Sequence, residues 1–231
     1  MKPEFDRLAE AYRKFRIGYS PQTIDALCRE SAGDILDAAT GTGLLAELLR
    51  PRVARVVGMD ISWPMISEMT PPVLVAAAER LPLRGASFDM VTCAEAFHWL
   101  DRPRATAEFR RVLRPGGLIA LIWKGPADGQ PYRPLSHAVF QEITGRPYRS
   151  ALPPEILEEM VAGWRSEQFE WEVEWTVDRY VGCLSSWEAM RQQLGPLRVQ
   201  FLDAFRLRLE QVVGGRPFRE RLVDKVYTMR V

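Results

Sequence analysis

The segment Asp37-Ala-Ala-Thr-Gly-Thr-Gly43 constrains what this chain can fold into more than any other part of the sequence. It ends a short apolar run that begins at Asp34, and it opens an apolar pattern with helical spacing. Gly41 and Gly43 permit a tight turn and a close approach of a ligand to the backbone. A strand, a glycine turn and a helix in this order predict a ligand-binding loop in an α/β fold.

Strand and helix patterns alternate through the first half of the chain. Strands are predicted at Asp34–Asp37, Val53–Gly58, Val73–Ala77, Phe88–Cys93 and Leu118–Trp123, and helices at Pro3–Phe15, Pro21–Glu30, Gly41–Arg50, Trp63–Met69 and Pro103–Leu113. Arg114-Pro-Gly-Gly117 is expected to stop the last of these helices, with glycine as its C-cap. Such alternation predicts a mainly parallel sheet with helices on both faces.

The second half of the chain has a different pattern. Gly125–Pro134 is predicted as a loop, and helices are predicted at Leu135–Thr144, Pro154–Trp164, Ser186–Leu194 and Leu197–Val213. Phe169–Val177 alternates apolar and polar residues, with a solvent face of Glu170, Glu172 and Glu174, and Leu222–Val231 is also predicted as a strand. We expect these two strands to close one edge of the sheet and the helices to form a cap.

The predicted fold class is therefore α/β: a Rossmann-like doubly wound, mostly parallel seven-stranded sheet with an antiparallel edge strand and a helical cap. A length of 231 residues fits a single domain. Its expected parts are a core with N-terminal lid helices at 1–125, a cap at 126–165 and 178–215, and closing strands at 168–177 and 222–231.

Composition argues against several classes of protein. The 31 Lys and Arg residues balance 30 Asp and Glu residues, which gives no reason to expect a nucleic-acid or membrane partner. Cys28, Cys93 and Cys183 are widely spaced, which favours free thiols and a cytoplasmic location. With two histidines and no ligand spacing, no metal site is expected. Met1–Tyr19 lacks the apolar segment of a signal peptide.

Two carboxylates bear on which ligand the loop binds. The stretch Gly41–Ala46 fits the glycine pattern of dinucleotide-binding proteins, so an NAD(P)-dependent oxidoreductase stays an alternative. Asp37 lies beside the loop, where a carboxylate disfavours a pyrophosphate and suits a cationic ligand. Asp60 ends the second strand and can hold ribose hydroxyls, which either cofactor would offer.

Several strings in order resemble class I S-adenosylmethionine-dependent methyltransferases. They are Ala78-Glu-Arg-Leu-Pro-Leu83, Ser87-Phe-Asp-Met-Val91, Ala96-Phe-His-Trp-Leu-Asp101 and Phe109-Arg-Arg-Val-Leu-Arg-Pro-Gly-Gly117. The His-Trp step and the lead-in Arg16-Ile-Gly-Tyr-Ser20 are similar to the methyltransferase type 11 branch that contains trans-aconitate methyltransferase-like proteins. The resemblance covers about the first 125 residues well and the rest loosely.

The resemblance implies S-adenosylmethionine as cofactor, S-adenosylhomocysteine as product, and a set of contacts. Asp37 and the backbone of Ala39, Thr40, Gly41 and Gly43 would face the methionine end, and Asp60 and Ile61 the ribose and adenine. Ala78 and Glu79 would meet the adenine edge, Cys93, Ala94 and Glu95 would lie near the sulfonium, and Arg16 or Tyr19 would meet the cofactor carboxylate. Ala39 stands where the family usually has glycine, and Ala77 where many members have Asp.

The implied reaction is methyl transfer to an O, N or C atom of a small-molecule acceptor. His98 is the candidate general base, with a structural histidine as the alternative. Methyl transfer from a sulfonium needs alignment more than an enzymatic nucleophile. A non-catalytic S-adenosylmethionine-binding protein is a further alternative. We expect a monomer or homodimer; the sequence leaves the acceptor open.

Overall fold

The computed structural model describes residues 5–231, and its elements alternate as the sequence predicted. The strands are β1 (Asp34–Ala38), β2 (Arg55–Asp60), β3 (Val73–Val75), β4 (Phe88–Ala94), β5 (Leu113–Pro126), β6 (Arg165–Trp175) and β7 (Phe218–Arg230). The helices are α1 (Ala9–Phe15), α2 (Pro21–Glu30), α3 (Leu44–Leu49), α4 (Trp63–Ile66), α5 (Arg102–Val112), α6 (Tyr132–Thr144), α7 (Pro154–Met160), α8 (Val177–Ser185), α9 (Glu188–Leu194) and α10 (Arg198–Val213). Pro3, at the start of the first predicted helix, lies outside the described residues.

The strands form a seven-stranded sheet in the order β3-β2-β1-β4-β5-β7-β6. The neighbours β3, β2, β1, β4 and β5 run parallel, and their register sets Asp37 opposite Gly58 and Thr92. Because parallel strands all end at one edge of a sheet, Asp37, Asp60 and Ala94 lie along the same edge. The predicted fold class is confirmed.

The last two strands close one side of the sheet, as predicted. Gly116 N–H donates to the carbonyl of Val231 at 2.9 Å, and Val231 N–H donates to that of Gly117 at 3.0 Å, so β7 runs antiparallel to β5. The structure therefore differs from the prediction that Arg114–Gly117 caps the end of helix α5. The helix α5 ends at Val112 with Leu113 in an extended conformation, and the Pro-Gly-Gly segment belongs to β5 instead of capping the helix.

A second correction concerns the end of β6. This strand stops at Trp175, and the helix α8, which the sequence analysis did not predict, follows at Val177. The Thr176 hydroxyl accepts a hydrogen bond from Arg179 N–H at 3.2 Å, a side-chain N-cap that starts a helix where the apolar alternation suggested more strand. The predicted Glu face of β6 is exposed, and Arg221 and Arg219 of β7 lie 3.5 and 3.4 Å from Glu170 and Glu172.

The described chain divides into two compact units. The first, here called the sheet unit, comprises Ile17–Lys124, Glu158–Phe169 and Asp224–Val231. Its core is mainly aliphatic and includes Leu27, Leu49, Ile66, Met90 and Ile122. The predicted division into core and cap ranges, within one domain, stays a prediction.

The second unit, here called the helical unit, comprises the described part of Met1–Arg16 together with Gly125–Leu157 and Glu170–Val223. Its core is aromatic: the rings of Phe201 and Phe205 stack at 6.0 Å, and Phe140 and Tyr180 pack at 6.2 and 6.0 Å against them. Helix α1 packs on α8 where Gly182 leaves room for the ring of Phe15.

A buried carboxylate fixes the start of α2 in the sheet unit. Ser20 caps this helix by accepting a hydrogen bond from Thr23 N–H at 2.9 Å. Asp224 of β7 is fully buried and accepts from Ser20 N–H at 2.7 Å and from the Thr23 hydroxyl at 2.8 Å. The segment that precedes α2 is therefore tied to the antiparallel strand.

We predict that Asp224→Ala lowers the free energy of unfolding by about 3 kcal/mol, because it leaves a buried N–H and a buried hydroxyl without their acceptor. Urea denaturation followed by circular dichroism measures the loss. Asp203→Ala, at an exposed position of α10, is the matched control, and we expect it to change stability by less than about 0.5 kcal/mol. Equal effects of the two variants would contradict the prediction.

Candidate functional site

Asp37 fixes the glycine loop between β1 and α3 through hydrogen bonds to threonine side chains. This carboxylate ends β1, is 1% exposed, and accepts hydrogen bonds from the hydroxyls of Thr40 at 2.5 Å and Thr92 at 2.6 Å. Thr40 belongs to the loop and Thr92 to β4, so the carboxylate joins the loop to the neighbouring strand. Asp37 thus shapes the loop, and its own surface is almost entirely covered.

A second carboxylate, that of Asp60, also fixes the loop by hydrogen bonds. Asp60 ends β2 and accepts from Gly41 N–H and from Ser62 N–H, each at 2.9 Å. The loop also donates a backbone hydrogen bond from Thr40 N–H to the carbonyl of Met59 at 2.8 Å. The loop and the turn after β2 are consequently one hydrogen-bonded assembly, as expected for the carboxyl ends of adjacent parallel strands.

The loop backbone needs residues that tolerate positive φ angles. Gly41 and Gly43 have φ of 58° and 84°, and Ala39 is also left-handed at 52°. A left-handed conformation costs a non-glycine residue about 1 kcal/mol or more, so the family's usual glycine at this position has a physical reason. A Cβ on Gly43 would lie 2.6 Å from Met69 Cε, whereas a Cβ on Gly41 would meet no atom within 4 Å. The face at Gly41 is thus open to a ligand.

The loop contains a polar atom without a partner in the described structure. The Thr42 hydroxyl is buried and makes no hydrogen bond with residues 5–231. Such an atom is costly unless a ligand satisfies it, and a hydroxyl needs only a small rotation to reach one. Sequence reasoning named the loop backbone and missed this side chain, although its place between two glycines was a usable signal.

Burial and neighbouring charges raise the pKa values of two groups at this edge of the sheet. Burial raises the pKa of Asp37 to about 6; the hydrogen bonds from Thr40 and Thr92 oppose the rise, and the charge of Asp60 adds to it. Burial also raises the pKa of the Cys93 thiol, and the nearby carboxylates raise it further. Cys93 is fully buried in β4, so it is a packing residue and not a reactive thiol.

The end of β4 carries a third carboxylate. Glu95 has a left-handed backbone at φ 57°, directly after Ala94, the half-buried last residue of the strand. Its side chain accepts a hydrogen bond from Lys124 N–H at 2.5 Å, which joins it to the end of β5. Ala94 and Glu95 thus lie at the carboxyl end of β4, and their place near the sulfonium stays a prediction.

Lys124 is a second residue that sequence reasoning missed. Its ammonium group donates to the carbonyls of Ile17 at 2.9 Å and Gly18 at 2.6 Å, and it lies 4.0 Å from the centroid of the Tyr19 ring. The cation therefore fastens the lead-in segment to the end of β5. Tyr19 is buried beneath it. A lone lysine after an apolar strand gives no sequence signal for this contact.

The turn after β2 presents an apolar surface. Ile61 is 65% exposed and Trp63 is 59% exposed, which is unusual for such large apolar residues. Ala78 is buried, and the Glu79 carboxylate accepts from Asp101 N–H at 3.0 Å. Ile61 is thus placed to cover an apolar ligand, while the Glu79 side chain braces the start of α5.

The orientation of the His98 ring is fixed by a hydrogen bond from the indole of Trp123. Its Nδ1 accepts a hydrogen bond from Trp123 Nε1–H at 3.3 Å, and the rings of Trp99 and Trp123 lie 4.8 and 6.4 Å from it. Burial lowers the pKa of His98 to about 4, so the imidazole is neutral at physiological pH. Because Nδ1 is the acceptor, the proton of the neutral ring sits on Nε2.

Comparisons with known proteins agree with this geometry. Residues 36–121, from β1 through most of β5, match the family model described as a methyltransferase domain. A proposed type II methyltransferase from Anaeromyxobacter dehalogenans has a similar structure, with a TM-score of 0.75 and 26% sequence identity over 94% of this chain and 98% of that one. The chain contains a class I methyltransferase domain.

Two curated relatives of the methyltransferase domain add detail. An uncharacterized methyltransferase of Mycobacterium tuberculosis is 38% identical over 128 residues, 53% of each chain. A ubiquinone/menaquinone biosynthesis C-methyltransferase of Syntrophotalea carbinolica is 35% identical over 161 residues, 61% of this chain and 66% of that one. This chain spans about half the length of the first of these relatives. The family resemblance stated from the sequence is confirmed.

Arg16 lies in the helical unit. Its guanidinium donates to the Ser186 hydroxyl at 2.7 Å and to the Ser186 carbonyl at 3.1 Å, and it stacks over Tyr12 at 4.3 Å. These bonds place the positive charge at the C-terminal end of α8, where its interaction with the helix dipole is favourable. The predicted contact of Arg16 with a cofactor carboxylate stays a prediction.

Three further observations concern the cysteines, possible metal ligands and possible membrane-spanning helices. Cys28, Cys93 and Cys183 form no disulfide in the described chain. Within residues 5–231, no cluster of three or more His, Cys, Asp or Glu side chains is arranged to hold a metal ion. No helix over the same range is both long and apolar enough to cross a bilayer.

The pKa of Asp37 predicts how the stability of the methyltransferase domain depends on pH. A carboxyl group whose pKa is raised in the folded state stabilises the fold when protonated, and this contribution disappears as pH rises through about 6. We expect the unfolding free energy of the wild type, relative to Asp37→Asn, to be about 2 kcal/mol larger at pH 4.5 than at pH 7.5. Denaturant titrations at both pH values measure this difference. A difference that is constant or grows with pH would refute the assignment.

Proposed function

We propose that this protein transfers a methyl group from S-adenosylmethionine to an oxygen, nitrogen or carbon atom of a small-molecule acceptor. The observation that carries the proposal is the glycine loop locked between Asp37 and Asp60 in the region that matches the methyltransferase family. When bound, the cofactor supplies an electrophilic methyl group on a positively charged sulfur. The protein's task is to hold and align the reactants.

The charges at the loop favour a sulfonium cofactor over a dinucleotide. A pyrophosphate binds to free loop and helix N–H groups, which act as its donors. Here the Gly41 N–H donates to Asp60, and Asp37 lies directly beneath the loop. Two carboxylates beside the binding face repel a pyrophosphate and attract a cation. An NAD(P)-dependent oxidoreductase is therefore the weaker alternative.

The residues of the sheet unit fit the proposed cofactor. The Thr42 hydroxyl and the open face at Gly41 would receive its amino-acid portion, with Ala39, Thr40 and Gly43 shaping the backbone. The Asp60 carboxylate would hold the ribose hydroxyls, and Ile61 would cover the adenine. Ala78, Glu79, Ala94, Glu95 and Tyr19 complete the proposed contacts, while Asp37 and Cys93 support them from the interior.

His98 acts in this proposal as a hydrogen-bond donor and not as a general base. Its unprotonated nitrogen is occupied by Trp123, and its low pKa makes it a poor proton acceptor at neutral pH. The Nε2–H makes no hydrogen bond with the described residues and is available to an oxygen of the acceptor. Methyl transfer then relies on alignment, with the acceptor's own lone pair as nucleophile.

We further propose that the protein acts in the cytoplasm on a small molecule, as a monomer or homodimer, without a nucleic-acid or membrane partner. The supporting observations are a net charge of +1 and three cysteines without disulfides. A non-catalytic S-adenosylmethionine-binding protein is the remaining alternative; Ala39, strained in place of a glycine, is the observation that favours it.

The direct test of the proposed cofactor is calorimetric titration with S-adenosylhomocysteine, with NAD(H) as a parallel ligand. We expect micromolar binding of the first and none of the second. Thr42→Val should weaken binding about tenfold and leave the ligand-free protein at least as stable as the wild type, because an unsatisfied buried hydroxyl is removed. Binding of NAD(H) alone would overturn the proposal.

Thr40→Val is the matched control for that experiment. It removes a hydroxyl that is bonded to Asp37, so it should destabilise the ligand-free protein by about 1–3 kcal/mol. If Thr42→Val is the more destabilising of the two, the assignment of Thr42 to the ligand is wrong.

The proposed state of His98 can be observed without any substrate. The chain has two histidines, so long-range ¹H–¹⁵N spectra of histidine-labelled protein, compared with His137→Gln, assign both imidazoles. We expect His98 as the neutral Nε2–H tautomer from pH 8 to about 5, and a mixture of tautomers in Trp123→Phe. An imidazolium, or an Nδ1–H tautomer, at pH 7 would contradict the assigned role.

A further inference from the structure

The described part of the helical unit contains a cation for which no ion pair is seen. Arg133, in the first turn of α6, is half-buried, and over residues 5–231 it donates no hydrogen bond and has no carboxylate within ion-pair distance. Other half-buried arginines of the helical unit are bonded: Arg191 to Glu188 at 2.7 Å and Arg206 to Asp178 at 2.5 Å. A partly buried guanidinium without such a partner is a common feature of binding sites for anions.

An aromatic ring and a glycine lie beside the Arg133 guanidinium. Its guanidinium lies 5.8 Å from the centroid of the Trp187 ring, and its Nη1 would be 3.8 Å from a Cβ placed on Gly125, near the end of β5. An aromatic face beside a weakly hydrated cation stabilises the charge without consuming its N–H donors. The five N–H groups of Arg133 therefore stay available to a ligand.

A second unsatisfied polar atom lies one helical turn further along α6. His137 Nε2 is buried and has no hydrogen-bond partner in the described chain. Burial and the charge of Arg133 lower the pKa of this imidazole, so it is neutral. Residues four apart on a helix share a face, and the ring of Tyr148 packs on His137 at 4.9 Å. Arg133 and His137 thus offer a cation and a neutral polar nitrogen on one side of α6.

In the described chain, the charge of Arg133 acts on Glu220, Tyr148 and Tyr180 as well as on His137. Glu220 is buried, and its two oxygens accept from Trp175 Nε1–H at 3.1 Å and the Tyr180 hydroxyl at 3.3 Å. Burial raises the pKa of Glu220 to about 7, and Arg133 only partly offsets the rise. Burial likewise raises the pKa values of Tyr148 and Tyr180, so both are neutral. Arg133 is consequently the positively charged group on this face, and Glu220 does not lie within ion-pair distance of it.

We propose that Arg133 binds the carboxylate of a small organic acid, with His137 as a second polar contact and Trp187 as an apolar wall. This binding site lies within the helical unit and does not depend on the proposed methyl transfer. A carboxylate fits better than a phosphate, because one guanidinium fork matches one planar monoanion in a bidentate pair. The aromatic surroundings favour an acid with an apolar body.

The test is titration of the full-length protein with benzoate and 3-phenylpropionate, each beside its neutral amide, with and without S-adenosylhomocysteine. We expect the acids to bind at least tenfold more tightly than the amides. Arg133→Gln should abolish this preference. Arg216→Gln, which removes an exposed charge from the same unit, should preserve it. Benzoate should also shift the imidazole signals of His137 in the wild type.

The two proposals fail in different ways. Acid binding that is absent, equal to amide binding, or unchanged in Arg133→Gln would overturn the carboxylate site, whatever the cofactor result. Loss of S-adenosylhomocysteine binding with an intact Arg133-dependent acid preference would overturn the methyltransferase proposal and leave the anion site. Unchanged S-adenosylhomocysteine affinity in Arg133→Gln is expected, because none of the proposed cofactor contacts involves Arg133.

Discussion

The hydrogen bonds of Asp37 to two threonine hydroxyls are the interaction on which the site depends. A carboxylate with 1% exposure is tolerated because Thr40 and Thr92 each donate to one of its oxygens. The same bonds hold the loop against β4, and Asp60 holds it against the turn after β2. Rigid placement of the loop backbone is what a reaction governed by alignment requires.

The lead-in segment shows how the rest of the sheet unit is built around this edge. Lys124 at the end of β5 binds the carbonyls of Ile17 and Gly18, and Asp224 on β7 holds the start of α2. Neither contact involves a residue of the glycine loop. They tie the segment before α2 to β5 and β7, so β7 serves the arrangement of the edge as well as the core.

Periodicity and glycine spacing predicted the strands, their mainly parallel arrangement and the loop, because these depend on local pattern. The same reasoning assigned Arg114–Gly117 to a helix cap, since long-range hydrogen bonds to Val231 are invisible in a local sequence. It missed α8 because Thr176 is a weak signal beside strong apolar alternation. The site residues at strand ends were predicted from topology, whereas Lys124, the Trp123 bond to His98 and the unpaired Arg133 come from tertiary contacts that no spacing encodes.

The central claim is that the loop locked by Asp37 and Asp60 is where the cofactor binds. Hydrogen–deuterium exchange of the full-length protein, with and without saturating S-adenosylhomocysteine, tests it most directly. The account predicts slower exchange of the amides in residues 38–43 and 60–62 when the ligand is bound. Binding of the ligand without protection of these amides, or with protection confined to the helical unit, would contradict it.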